Sequence, residues 1–294
     1  MADVVYSSMK RDDTINPSSH REFTKADCME WLDKLEDESV NLWIIDPPYN
    51  VLTGHMKNKN GAAIFHSRYT AQVSPSESDL EKGMVTPRFE VAIPWEEKSK
   101  LDDYKEYCYS WYCKAHQKLA DDSFMFIFWS MKYLYLAYQL FDVNRVIFWQ
   151  QPNMISSITG DFSYDITPII VVRKGNARLN KKAKLWDKTS VLKFAKPQGN
   201  YRDDKLCHVC QKPRKLLEHL VWLSDADQEG CVIGDFFAGS GSLLRAVDKA
   251  DVILCDKNRE YFDKFFDVYV TDPRVYRCEI EDPERTTKWK NGKI

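Results

Sequence analysis

The sequence predicts an α/β fold, a sheet with helices on both faces, and three observations carry that prediction. Short apolar runs alternate with amphipathic helical stretches along most of the 294 residues. One such run, Val40 to Ile45, stops at Asp46-Pro47-Pro48, where proline cannot continue a strand. Another, Cys231 to Phe236, leads into a glycine loop, a helical stretch and a further strand that ends on an acid.

In chain order, Asp102–Leu119 reads as a helix and Phe124–Trp129 as a fully buried strand. Tyr133–Phe141 is helical, Val146–Trp149 strand-like and Ile166–Val172 another buried strand. Pro213 opens a helix with Leu216, Leu217, Leu220 and Val221 on one face. Helix Ser240–Val247, strand Val252–Cys255 and helix Arg259–Phe266 complete the pattern. A single domain is expected, with an inserted polar connection over 51–95 and a charged tail over 272–294.

The hydrophobic fraction of 44% supplies a sizeable core, and the 13% of aromatic residues are read mainly as core. A formal net charge of -2 excludes a uniformly cationic polyanion binder. A local basic stretch does exist: Arg173, Lys174, Arg178, Lys181, Lys182, Lys184, Lys188 and Lys193, with Asp187 as the only acid among them. The eight cysteines form no framework, and Cys207-His208-Val209-Cys210 has no second half-site, so no metal is expected. No apolar signal core or membrane-length run is present. The chain is accordingly read as soluble and intracellular, in a bacterial or phage- or virus-infected cytoplasm or a nucleus.

Asp235-Phe236-Phe237-Ala238-Gly239-Ser240-Gly241 joins a strand to a helix. Gly239 and Gly241 let the backbone approach a ligand, and the helix N-terminus offers free N–H groups. Asp256, at the end of the next strand, can accept hydrogen bonds from two ribose hydroxyls, although an acid there also serves as an ordinary helix cap. The loop lacks the length and the Lys-Ser/Thr ending of a Walker A cradle, so a nucleoside cofactor without phosphates fits better than ATP.

Asp46-Pro47-Pro48-Tyr49-Asn50 carries the chemistry. An exocyclic amine on a base is a poor nucleophile because its lone pair is delocalised into the ring. The Asp46 carboxylate and the Pro47 carbonyl can accept both amine hydrogens and drive the nitrogen toward a tetrahedral geometry. Pro48 stiffens the turn, Tyr49 offers a ring face for stacking, and Asn50 lies beside the base. A base in a duplex must be flipped out to reach such a site, at a cost of a few kcal/mol.

With these two motifs the chain resembles the amino-methyltransferases of DNA, which carry a (D/N/S)PP(Y/F/W) tetrapeptide and an FxGxG loop. The tetrapeptide comes first here, which is similar to the beta class, circularly permuted relative to other class I methyltransferases of Rossmann-like fold. Lys25-Ala26-Asp27-Cys28 resembles the lead-in of that class, and His208 to Pro213 followed by Leu216-Leu217 resembles its "H..QKP..LL" segment. The resemblance implies S-adenosyl-L-methionine as cofactor and double-stranded DNA as partner, with direct in-line transfer to adenine N6. It places Asp27 and Cys28 near the cofactor's adenine and Asp256 on its ribose. Lys212, Pro213, Asp235, Phe237, Gly239, Ser240 and Gly241 surround the rest, and Asp46 lies near both cofactor and amine. A homodimer, with Tyr104–Phe141 as one candidate face, is a further expectation.

Three departures stand out. Ile166 and Thr167 replace a His-Glu pair, Gln151 replaces a lysine, and Asp121-Asp122-Ser123 replaces a turn glycine. Target recognition is expected over 175–206, where Lys181, Lys182, Lys184 and Arg202 meet phosphates. The 51–95 connection is expected to close over the flipped base or reach into a groove. An N4-cytosine enzyme, an RNA adenine methyltransferase and a non-catalytic nucleic-acid-binding partner stand as alternatives.

Overall fold

The computed structural model describes residues 19–48, 55–57, 63–67, 70–72, 101–153, 165–197, 211–239, 241–258 and 278–281. A nine-stranded mixed sheet organises them. Its strands are β1 (Arg21–Lys25), β2 (Val40–Ile45), β6 (Leu119–Phe128), β7 (Val143–Gln150), β8 (Ile166–Arg173), β9 (Val191–Lys193), β10 (Val232–Asp235), β11 (Asp251–Asp256) and β12 (Cys278–Glu281). They lie in the order β12-β1-β11-β10-β2-β6-β8-β7-β9. The strands from β12 to β6 pair in parallel, and β8 runs antiparallel to β6 and β7. The carboxyl ends of β1, β11, β10, β2 and β6 therefore share one edge.

Successive residues of the central strands feed two cores, as the two-residue period of a strand requires. Leu42, Ile44, Phe124, Phe126 and Phe128 pack with Leu216, Leu217, Leu220 and Val221 of α4 (Arg214–Ser224) and with Leu243 and Leu244. Trp43, Ile45, Met125, Ile127 and Trp129 face the other way. They meet α1 (Cys28–Leu32), α2 (Leu101–Lys118) and α3 (Leu134–Leu140). Strands covered on both faces read as unbroken apolar runs, which is why β2 and β8 are legible as such.

Two elements differ from the expected boundaries for physical reasons. β6 starts at Leu119, five residues before the apolar run, because it bulges: Val40 pairs with Leu119, and Leu42 with Phe124. Asp122 sits in that bulge at φ 57°, a conformation that aspartate tolerates better than most residues. The helix expected over Ser240–Val247 is a single 3-10 turn, Ser242–Arg245, entered through Gly241 at φ 67°. Arg21 limits it, donating from its guanidinium to the carbonyls of Leu244 and Val247 at 2.8 Å each.

Within the inserted connection the described residues form a separate antiparallel sheet of β3 (His55–Lys57), β4 (Ala63–Ser67) and β5 (Thr70–Gln72). The aromatic stretch 104–141 divides. Tyr104, Trp111, Tyr112 and Phe141 are buried, whereas Tyr109, Tyr135 and Tyr138 are exposed. Among the described residues no helix is long and apolar enough to cross a membrane.

Candidate active site

Strand order decides where a ligand can enter. From β10 the chain turns toward β11, and from β2 it proceeds in the other direction to β6. The crevice between β10 and β2 is thus the topological switch point, the place where open α/β sheets bind ligands. Asp235 ends β10 and Asp46 follows β2, on either side of this crevice, and Asp256 ends the neighbouring β11.

The three carboxylates are electrostatically linked. Burial pushes the Asp235 carboxyl well above the ordinary range, and Asp46 and Asp256 push it further while Lys212 opposes them. Burial likewise raises Asp256, against the backbone N–H groups that it accepts. Its two oxygens take Gly239 N–H at 2.7 Å and Asn258 N–H at 2.8 Å. Gly239 stands at φ 48°, a conformation that glycine adopts freely, with its N–H turned onto Asp256.

Lys212 comes from just before α4 and forms an ion pair with Asp46, its ammonium 4.9 Å from the centre of the Phe128 ring. Pro213, buried, caps α4 at φ -60°, the angle that its ring fixes. On the other side of the motif, the Tyr104 hydroxyl donates to the Pro48 carbonyl at 3.3 Å. Pro47 is buried and Pro48 partly so. Asp46 is therefore held from both sides, by a cation on one core and through its own turn by a phenol on the other.

Asp27 and Cys28 join the same edge beyond β1. Asp27 caps α1 by accepting Met29 N–H at 2.9 Å and lies 3.8 Å from the Lys257 ammonium. The Cys28 thiol is pushed up to about 11 by burial and meets the Tyr107 hydroxyl at 3.4 Å. Ala26 N–H reaches the Asp256 carbonyl at 3.2 Å, which ties this loop to β11. Phe237 packs edge-on against Trp111. Tyr49, Asn50, Ser240 and Arg202 lie outside the described residues.

The basic stretch does not converge on this edge as a unit. Asn180 accepts Lys182 N–H and binds the carbonyls of Trp222 and Leu223, at the far end of α4 from Lys212. Eleven helical residues separate the two ends, about 16 Å. Lys181 and Lys182 are thus one helix length away, and Lys193, paired with Gln150 at the carboxyl-edge end of β7, is at the level of the edge but four strand spacings, about 19 Å, from β2. Lys184 lies over the exposed Trp186 ring at 5.0 Å. At the departures from the family pattern, Gln151 donates to Thr167 Oγ1 at 3.1 Å, and both are buried.

Tyr104, Tyr107 and Phe128, which the motifs do not include, touch Pro48, Cys28 and Lys212 of this edge. Tyr104 and Tyr107 stand three apart on α2, one turn, and both meet segments of the edge. That spacing was the available signal, hidden among the other aromatics of the helix.

A family model described as DNA methylase, covering N6 and N4 methyltransferases, matches residues 40–267, from β2 through the glycine loop and beyond β11. The chain belongs to the N6/N4 DNA methylase family. Among relatives of this family it is 23% identical to the type II methyltransferase M1.MboII of Moraxella bovis, over 82% of this chain and 93% of that one. It is also 23% identical to M2.DpnII of Streptococcus pneumoniae, over 74% and 76%. The N6/N4 methylase fold is shared with the PvuII cytosine-N4-specific DNA methyltransferase at a TM-score of 0.57 and 14% identity, covering 88% and 92%. The M1.HpyAVI complex with its cofactor gives 0.54 and 16%, covering 84% and 97%.

The residues fit a nucleoside cofactor bearing a positively charged sulfur. The carboxyl groups of Asp46, Asp235 and Asp256 gather at the switch point, acceptors suited to hydroxyls and to a cationic sulfur and not to a polyphosphate.

Proposed function

We propose that the chain transfers a methyl group from S-adenosyl-L-methionine to the exocyclic N6 of adenine in double-stranded DNA, on a base flipped out of the helix. The observation that carries this reading is the position of Asp46, ahead of the two prolines and at the switch point with Asp235 and Asp256. When bound, the cofactor supplies a methyl group on a sulfonium, electrophilic enough for direct attack by nitrogen.

The chain's own residues do the rest. Asp256 accepts the ribose hydroxyls, Asp27 and Cys28 flank the adenine, and Lys212, Pro213, Asp235 and the 237–241 loop enclose the amino-acid part. Asp46 and the Pro47 carbonyl accept the two hydrogens of the target amine, and Tyr49 stacks on its ring. The tetrapeptide-first order supports the permuted beta class within one methyltransferase domain. The 51–95 insert covers the flipped base, and 175–206 reads the flanking DNA, with Asn50, Lys184 and Arg202 on the substrate and Lys181 and Lys182 on more distant phosphates.

The test is product identity. The purified protein is incubated with unmethylated duplex DNA and S-adenosyl-L-methionine, and the nucleosides are resolved by mass spectrometry beside an Asp46→Ala variant. N6-methyladenine that vanishes in the variant is the expected result. N4-methylcytosine would replace the base and keep the chemistry, and no product on duplex or single-stranded DNA or RNA would overturn the reading.

A further inference from the structure

Lys212 pairs with Asp46 at the switch point, where the proposed function sets the cofactor's amino acid and the target amine side by side. Its ammonium is paired with Asp46, its side chain is 12% exposed and that of Asp46 23%, and the Phe128 ring closes one side. The cluster already holds the carboxylates of Asp46, Asp235 and Asp256. An amino-acid carboxylate arriving there adds negative charge to this cluster of carboxyl groups, and among the described residues Lys212 is the cation coupled to Asp46 and Asp235. Lys257, a second lysine among the described residues, is engaged on the β11 side with Asp27 and Asp256. Asp46, for its part, cannot present its carboxylate fully to an amine while one oxygen is committed to an ammonium.

We infer that Lys212 is a positioning residue that changes partner. It holds Asp46 while the amino-acid subsite is free, and the carboxylate of the arriving cofactor draws it away. Asp46 is then released toward the target amine, so the order of binding is cofactor before base. This inference rests on the reading of the edge as an S-adenosyl-L-methionine site.

The two can be tested apart with two nucleosides, measured by calorimetry on the full chain. S-adenosylhomocysteine keeps the amino acid, and 5′-methylthioadenosine lacks it. Asp46→Asn removes the competing anion and should tighten S-adenosylhomocysteine by roughly tenfold, leaving methylthioadenosine unchanged. Lys212→Met should abolish that gain in the double variant, and Lys212→Arg should retain it. Unchanged methylthioadenosine affinity reports an intact nucleoside pocket in each variant, and Lys212→Gln replaces Lys212→Met if the latter does not fold. An Asp46→Asn variant that binds S-adenosylhomocysteine no tighter overturns the exchange. A gain that persists without Lys212 overturns it too, because simple repulsion then suffices. A wild-type protein that binds neither nucleoside overturns the cofactor reading itself.

Discussion

The ring of Trp43 occupies the space that a side chain on Gly234 would need. The two residues are paired across β2 and β10, and a Cβ built on Gly234 would fall 2.2 Å from Trp43 Cζ3. Trp43 is wholly buried and its indole N–H donates to the Ala115 carbonyl at 3.0 Å, so the ring cannot swing aside without losing a bond. Gly234→Ala should therefore destabilise the fold by about 1–3 kcal/mol, as overpacking does. A urea midpoint equal to that of the wild type would show that Trp43 yields freely.

Arg21 is 3% exposed and spends its guanidinium on the carbonyls of Leu244 and Val247, which follow the glycine loop. Arg21→Met strips charged donors from two carbonyls and should cost about 2–3 kcal/mol. Arg21→Lys, with a point charge in place of a fork, should recover only part of this. Denaturation of the three proteins side by side checks the order.

Asp235 gives a signed pH dependence. Its carboxyl titrates well above 3.8 in the folded chain, so between that value and its folded value the native state binds more protons than the unfolded one. Stability due to this group consequently falls as pH rises through that window. Asp235→Asn keeps an oxygen to accept the Phe237 N–H, now at 2.9 Å, and removes the buried charge. The variant should melt higher than the wild type at neutral pH, with the difference closing below pH 3.8. A difference that does not change with pH would refute the assignment.

Lys193, at the carboxyl-edge level of the sheet, and Lys181, at the opposite end of α4, test which face meets DNA. If the edge is where the base enters, Lys193→Ala should weaken binding and lower the slope of log K against log salt by about one. Lys181→Ala, beyond the far end of α4, should change both less. Titrations at several salt concentrations with one duplex distinguish the two.

Much of this was legible in residue order. Val40–Ile45 and Ile166–Val172 announce buried strands because both faces are covered, and Asp46-Pro47-Pro48 marks a strand end because proline stops a ladder. The carboxylates on Asp46, Asp235 and Asp256 could be picked from their positions after apolar runs. Their mutual approach depends on strand order, which no local pattern encodes, and was expected only through the family resemblance. The single turn at Ser242–Arg245 was hidden for a similar reason: the residue that limits it, Arg21, lies more than two hundred positions upstream. Tyr104 and Phe128 looked like core, and they are core, with one polar or π contact each that faces the edge.

The placement of β10 and β11 between β1 and β2 has a consequence for how the protein is made. β1 and β2 are consecutive along the chain, yet the two strands that separate them emerge nearly two hundred residues later. Three inter-strand spacings, about 14 Å, divide them in the finished sheet. A chain ending before residue 232 lacks both strands that lie between β1 and β2, and with them Asp235 and Asp256, the wall opposite Asp46. The crevice is complete only once residues 232–256 have been made, and a product truncated before them should lack the switch point and, with it, methyl transfer.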